Sequence, residues 1–508
     1  MNMKIFVLMW CALSLCGLTA CGGGGGSAEA PASSVKKTSA ELAQICAAEN
    51  FLTSDALSPT KTGTLADERH WINAYLTERY FWYKDIPVVD PLAARYNVSG
   101  GTARQNFVMS VVNYFEDQLT PLYTTTGSKV DKFSFQIDTA TWTNFSSGAE
   151  LGYGWLLVDE GVGTARRIRV SYVYPTTQSG FASRAGIERG DELISIDGVA
   201  VSNALQKDVI DQAISPVSPV NHTFVIQGKS GLKTLTLSAS TVTLPQAEHR
   251  VVSDAEGVKW GYLIFNSHVD SAQAPLLAAL SDFKSQNIDQ LVVDLRYNGG
   301  GYLALASALA YGVAGPARTQ GKTFETLRYN DKRTSRNENM PFYSSDLDGR
   351  AIDAMNFSKI YVLTTDETCS ASESFINGLR GVDVEVVQIG GTSCGKPYGF
   401  EPQDNCGITY AAMEFDGVNQ KGQGGYADGL VPQCAASDDL NHALGDPNEA
   451  MFAVAIARHR GLACSSVAAS RALGSQNLRG LGMSAFKLIK PQWQRGKIIN
   501  TAKLKAKS

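Results

Sequence analysis

Lys359-Ile360-Tyr361-Val362-Leu363-Thr364-Thr365, followed by Thr368-Cys369-Ser370-Ala371-Ser372-Glu373, is the stretch on which the architecture turns. The first run is β-branched and apolar, the pattern of a strand buried on both faces of a sheet. Asp366 and Glu367 break it. Ala371 to Arg380 then carries Phe375, Ile376 and Leu379 on one side, with Gly381 as a stop, which predicts a helix. Val384 to Ile389 returns as a strand, so the segment reads as a βαβ unit with parallel strands. Ser370 falls on the strand-to-helix turn, where unpaired N–H groups and the positive helix end support a developing oxyanion. Serine at such a turn also serves as a plain N-cap, so a nucleophile needs a second motif.

Two such motifs flank it. Upstream, the buried-strand run Leu291 to Arg296 ends in Asn298-Gly299-Gly300-Gly301, ahead of an Ala/Leu-rich helix over Leu303 to Ala310. Successive glycines expose N–H groups and let another chain approach closely. No Gly-Lys-Ser/Thr directly follows this loop and its glycines lack the G-x-G-x-x-G spacing, which argues against a nucleotide cradle. Downstream, Gly395-Lys396 supplies a lysine. Such a lysine acts as a base only when neutral. Bringing its pKa from about 10.4 to about 7 takes roughly 5 kcal/mol of differential solvation. The apolar Pro397, Tyr398 and Phe400 suit that demand.

Taken together, Asp294-Leu295-Arg296-Tyr297-Asn298-Gly299-Gly300-Gly301, Cys369-Ser370-Ala371-Ser372-Glu373 and Gly395-Lys396 resemble, in order, three landmarks of the S41 C-terminal processing (tail-specific) protease family. The resemblance runs over about residues 70 to 460. It implies Ser370 as nucleophile, Lys396 as base, and the backbone of Gly300 (or Gly301) and Ala371 as oxyanion donors. It also implies a ClpP/crotonase-like α/β catalytic domain without a cofactor. Two features depart from the family pattern. The position four residues after the lysine, where many members place an orienting glutamine, is Phe400, and the nearest candidate is Gln403. The Ser-to-Lys spacing is one residue longer. Related tricorn-type enzymes use a histidine base, which makes His268, after Phe265-Asn266-Ser267, the residue to compare.

Between residues 146 and 245 the strings Leu151-Gly152-Tyr153-Gly154-Trp155 and Gly180-Phe181 through Asp197-Gly198 resemble a PDZ domain. In that family a Gly-φ-Gly-φ loop offers N–H groups to a C-terminal carboxylate and a strand edge pairs with the peptide. Carried over, Gly152, Tyr153, Gly154 and Trp155 hold the carboxylate, and substrates are chosen by their free C-termini. Asp197-Gly198 predicts a hairpin turn.

The expected organisation is therefore α/β and multidomain. Residues 1–21 form a lipoprotein signal, 22–45 a Gly/Ser-rich linker, and 46–145 a helical domain. The PDZ-like β-rich domain (146–245), the catalytic domain (246–464) and a tail (465–508) follow. Lys4, the apolar Ile5 to Leu15 and Leu18-Thr19-Ala20-Cys21 resemble a bacterial lipobox, with Cys21 lipidated. With no aspartate after Cys21, the expected site is the outer membrane of a Gram-negative cell, facing the periplasm or the surface. A Gram-positive surface lipoprotein is the alternative. The helical domain shows a capping box at Thr64 to Asp67, an aromatic stripe through Trp71, Tyr75, Tyr80 and Tyr83 read as core, and a second helix from Asn106 to Leu119.

Six cysteines remain beyond Cys21, namely Cys46, Cys369, Cys394, Cys406, Cys434 and Cys464. An even number suits three disulfides in an oxidising compartment. Cys369–Cys394 would clamp Ser370 toward Lys396, and Cys394–Cys406 competes with it. No metal motif and no C-x-x-C is present, and a body of net negative charge argues against nucleic acid. The tail holds nine Lys/Arg and no acid, which suits a membrane contact, a partner segment or a solvated end. The competing functional class is a catalytically silent, lipid-anchored PDZ/S41-fold binding protein, and the missing glutamine favours it.

Overall fold

A computed structural model describes residues 37–161, 166–175, 181–216, 218–346, 348–464, 487–489 and 497–499. The expected signal segment with Cys21, most of the expected linker, Gly180 and most of the tail lie outside the described residues. Among the described residues, no helix is long and apolar enough to cross a membrane.

The N-terminal region rests on α1 (Leu65–Arg79) and α2 (Ala103–Glu116). Thr64 and Asp67 form the expected capping box; a second one, Thr102 with Gln105, starts α2 ahead of the expected Asn106. Trp71, Tyr75, Phe107, Val111 and Phe115 share one core with Phe400, Tyr410 and Met413, which lie far along the chain. The aromatic stripe is thus core, and it covers the segment that follows Lys396. A Cys46–Cys406 disulfide fastens the same union.

The next region is an antiparallel sheet of β1 (Trp155–Asp159), β2 (Ile168–Val173), β3 (Glu192–Ile196), β4 (Asn221–Gly228) and β5 (Gly231–Ser238), with α3 (Lys207–Ile214) packed on it. The strand order is β5-β4-β3-β2-β1. Asp197 and Gly198 both take positive φ at the tip after β3, as the predicted hairpin turn requires. Ile210 and Ala213 of α3 bury against Trp155, Leu157 and Phe224.

The third region holds β6 (Ala247–Ser253), β7 (Lys259–Phe265), α4 (Gln273–Ser285), β8 (Gln290–Asp294), β9 (Gly300–Tyr302), α5 (Leu303–Ala314), β10 (Lys359–Thr364), α6 (Ala371–Gly381), β11 (Glu385–Gly390), β12 (Cys434–Ala435) and α7 (Ala450–His459). Its main sheet runs β6-β7-β8-β10-β11-β12; only the β6–β7 pair is antiparallel. The apolar runs bury both faces by alternation. Leu263, Leu291, Val293, Ile360 and Val362 face α4, α5 and α6, whereas Tyr262, Val292, Tyr361 and Leu363 face α7. The chain is thus mixed α/β, with the βαβ unit at Lys359–Gly390 in its centre.

Arg296, 1 % exposed at the end of β8, is held by Asp294 (2.9 Å), Asp438 (2.6 Å) and Glu449 (2.9 Å). Arg189, from the segment before β3, joins the same cluster through Asp438 and donates to Tyr297 Oη at 2.8 Å. A guanidinium so enclosed is tolerated only because carboxylates surround it. The cluster fixes the chain just before the glycine loop.

The described parts of the tail are both strands. β13 (Lys487–Leu488) pairs antiparallel with β1, and β14 (Lys497–Ile499) pairs parallel with β9.

Candidate active site

Ser370 precedes α6 with φ 67° and ψ −119°, a conformation that L residues seldom adopt and that costs on the order of 1–3 kcal/mol. Its side chain is fully buried, and Oγ has no hydrogen-bond partner among the described residues. The turn is held from outside. Cys369 N–H donates to Asn298 O at 3.1 Å, Ser372 Oγ donates to the same carbonyl at 3.1 Å, and a Cys369–Cys394 disulfide closes the base. The clamp that the sequence left open against Cys394–Cys406 is the one formed, and Cys434–Cys464 is the third bridge. Asn298 therefore seats the glycine loop beside the serine.

Glu373, given no role beyond its place in the motif, joins the serine turn to the lysine loop. Its carboxylate is fully buried. Oε2 accepts from Ser370 N–H and Lys396 N–H, both at 2.8 Å; Oε1 accepts from Gly395 N–H at 2.9 Å and Ser393 Oγ at 2.5 Å. Burial pushes its pKa up while these donors pull it down. Gly395 is required by shape. It has φ +80°, and a Cβ there would meet Ala427 O at 2.3 Å.

Lys396 is fully buried. Its Nζ lies 4.9 Å from the Phe400 ring centre and 5.3 Å from that of Phe133. Burial lowers its pKa to about 7, against the opposing pull of Asp131 and Glu373. Gln403, the expected orienting candidate, has partners of its own. It lies on a strand opposite Tyr410, and its Nε2 donates to Pro402 O at 2.7 Å. Among the groups around the amine are Phe400 and, from far upstream, Phe133 and Asp131. Asp131 is itself fixed by Tyr80 Oη at 2.6 Å and by the N–H groups of Phe133 and Ser134.

The proposed oxyanion donors are placed unequally. Ala371 opens α6, so its N–H has no partner within the helix. Gly300 N–H is already committed to Asn298 Oδ1 at 2.9 Å, an Asx-type bond two residues back. Gly300 O and Tyr302 N–H both bond the backbone of His268, at 3.0 and 2.7 Å. By strand alternation the intervening Gly301 presents its N–H to the opposite edge. The Gly300 N–H is thus engaged within the loop, whereas that of Gly301 faces the edge on which β14 lies. Gly301 also needs its missing side chain, since a Cβ would meet His268 O at 2.3 Å. His268 is buried with Nδ1 3.0 Å from Asn298 Oδ1, and burial lowers its pKa to about 3. It braces the glycine loop as a neutral ring.

The sulfurs of Cys369 and Cys394 lie within 4.8 Å of a Glu373 oxygen, the spacing of a metal site. They are bonded to each other and offer no thiolate, so these residues do not fit a metal. The Gly152–Trp155 loop leads into β1. Tyr153 and Trp155 are buried in the core, and the Tyr153 and Gly154 N–H groups have no hydrogen-bond partner among the described residues. Tyr153 contributes its side chain to the fold, with its hydroxyl donating to Ala213 O at 2.9 Å.

A base that must be neutral works better as pH rises. A reaction in which the Lys396 amine acts as base should therefore climb through about pH 7 and level off above it. Because Asp131 favours the charged amine, Asp131→Asn should move that rise to lower pH. A profile of kcat/KM against pH checks this; an unmoved limb would remove Asp131 from the electrostatics of Lys396.

Residues 259–404 match the family described as peptidase family S41. A carboxyl-terminal-processing protease of Picosynechococcus is 27% identical over 130 residues, 25% of this chain and 31% of that protein. The chloroplastic C-terminal processing peptidase of Tetradesmus obliquus is 25% identical over 248 residues, 46% of this chain and 49% of that protein. The chain thus spans about a third to a half of the length of these relatives. Among solved structures, a protein from Bacteroides fragilis assigned to the S41 proteases has a TM-score of 0.61 at 22% identity. The match covers 77% of this chain and 97% of that one. That likeness shows the fold.

Proposed function

Residues 259–404 carry a peptidase S41 domain, and from that premise we propose that the protein is a serine endopeptidase using a Ser370–Lys396 dyad on proteins selected by their free C-termini. The observation that carries the reading is a fully buried lysine with its pKa lowered to about 7, whose loop hangs from the same carboxylate oxygen as the serine turn. Ser370 Oγ attacks the peptide carbonyl as its proton passes to Lys396 Nζ. The N–H groups of Ala371 and Gly301 receive the oxyanion, and the lysine returns the proton to the leaving amine. Water, deprotonated by the same amine, then releases the acyl group from Ser370. Incubating an unfolded protein with wild type and with Ser370→Ala tests this. Cleavage that survives in the variant would refute it.

C-terminal selection is supported by the β1 edge, by α3 beside it and by the Tyr153 and Gly154 N–H groups. Amidating a peptide substrate's C-terminus should lower kcat/KM about 10- to 100-fold, since hydrogen bonds to a charged group are worth roughly 1.5–3 kcal/mol. Equal turnover of acid and amide would exclude carboxylate capture. Residues 1–21 support an envelope lipoprotein anchored through Cys21, which membrane fractionation of Cys21→Ser tests. The silent binding protein would select the same peptides without Ser370-dependent cleavage.

A further inference from the structure

Two strands of the tail lie on two separate peptide-binding edges. β13 runs antiparallel along β1, with Lys487 opposite Asp159 and Leu488 opposite Val158, and Ile489 N–H donates to Leu157 O at 2.9 Å. That register carries the tail toward the Gly152–Trp155 loop. Leu488 is buried, and Ile489 packs against the core that contains Ile210 and Ala213 of α3. The tail there takes the place of an added strand between a sheet edge and a helix.

Further on, β14 pairs in parallel with β9, placing Lys497, Ile498 and Ile499 opposite Gly300, Gly301 and Tyr302. It also lies close to Tyr398 and Gly399, just beyond Lys396. The backbone of 497–499 therefore lies near both the glycine loop and the lysine loop. The eight residue-to-residue steps from Ile489 to Lys497 can span up to about 26–29 Å, so one continuous chain can engage both edges.

The geometry points to this tail as the protein's own first substrate. The chain is held in cis by 487–489 on β1 and threaded by 497–499 through the Ser370–Lys396 groove, where it blocks other peptides until it is cut. This rests on the peptidase reading above. In the cut, Ser370 Oγ bonds a tail carbonyl carbon in or next to Lys497–Ile499, the C–N bond breaks, and Lys396 delivers the proton to the departing amine. Water then frees the new carboxylate.

Three forms of the full chain test it: wild type, Ser370→Ala and Ile489→Pro, which removes the N–H given to Leu157. A chain ending at Phe486 serves as a fourth. Intact mass should show the wild-type tail shortened near 497–499 at a rate independent of protein concentration, and the Ser370→Ala tail whole. Before processing is complete, Ile489→Pro and the shortened chain should turn over casein about tenfold faster than wild type, because a tethered competitor acts at millimolar effective concentration. If the wild-type tail stays whole, is cut at a concentration-dependent rate, or leaves casein turnover unaffected by its removal, the tail proposal is overturned while Ser370-dependent casein cleavage still upholds the peptidase. If no form cleaves casein, both fall.

Discussion

Ser370→Ala, Lys396→Met and the double variant should each lose about 10⁴- to 10⁶-fold in kcat, and the double loss should match the single ones. In the proposed dyad the two side chains act as one unit. Without its base the hydroxyl is a poor nucleophile, and without the hydroxyl the amine has nothing to deprotonate. Lys396→Met should also separate activity from stability. A lysine whose folded pKa is about 7 binds no proton between that value and 10.5, while the unfolded chain does. Wild-type stability therefore rises with pH across this window, and below it the buried amine costs at most roughly 5 kcal/mol. The inactive Met variant should melt higher than wild type at pH 6 and lose that advantage near pH 11. Activity from either single variant within tenfold of wild type would end the dyad assignment. A melting difference that ignores pH would mean that Lys396 is charged in the fold.

The main sheet was legible because its strands are uninterrupted apolar runs: Lys359–Thr364 and Gln290–Asp294 end within two residues of their expected limits. The strand-to-helix turn at Ser370 and the glycine loop are local patterns as well, which is why they could be read. What escaped is non-local. Asp131 and Phe133 reach Lys396 from a different region, and no periodicity connects them. Gln403, close in sequence, pairs with Tyr410 on a short strand of its own, a register that no spacing rule supplies. The engagement of Gly300 by Asn298 has a signal, since asparagine readily bonds a backbone N–H two residues on. Glu373 had one too: Ser-x-x-Glu before an apolar helix is a capping pattern, and here the glutamate reaches past the cap to a second loop. Cysteine pairing depends on distances that no spacing rule supplies.

Glu373→Gln should destabilise the fold by about 3–5 kcal/mol and lower kcat/KM about 10²- to 10³-fold with Ser370 and Lys396 intact. Four donors converge on this carboxylate, two on each oxygen. An ionised carboxylate has lone pairs for all four, whereas an amide offers one oxygen and turns an NH2 toward the other two donors. If the amide nitrogen faces Gly395 and Ser393, the lysine loop loses its anchor. If it faces Ser370 and Lys396, both reacting residues do. Either placement leaves buried N–H or O–H groups unsatisfied and relaxes the strained serine turn. The disulfide would still hold Cys369 to Cys394, so the chain should remain folded at moderate temperature with the loops less exactingly aligned. The pH profile distinguishes misalignment from simple unfolding. Removing a carboxylate that favours the charged amine lowers the Lys396 pKa, so the residual activity should rise through a pH below 7. A Gln variant with unchanged melting temperature and unchanged kcat/KM would show that Glu373 does not join the two loops.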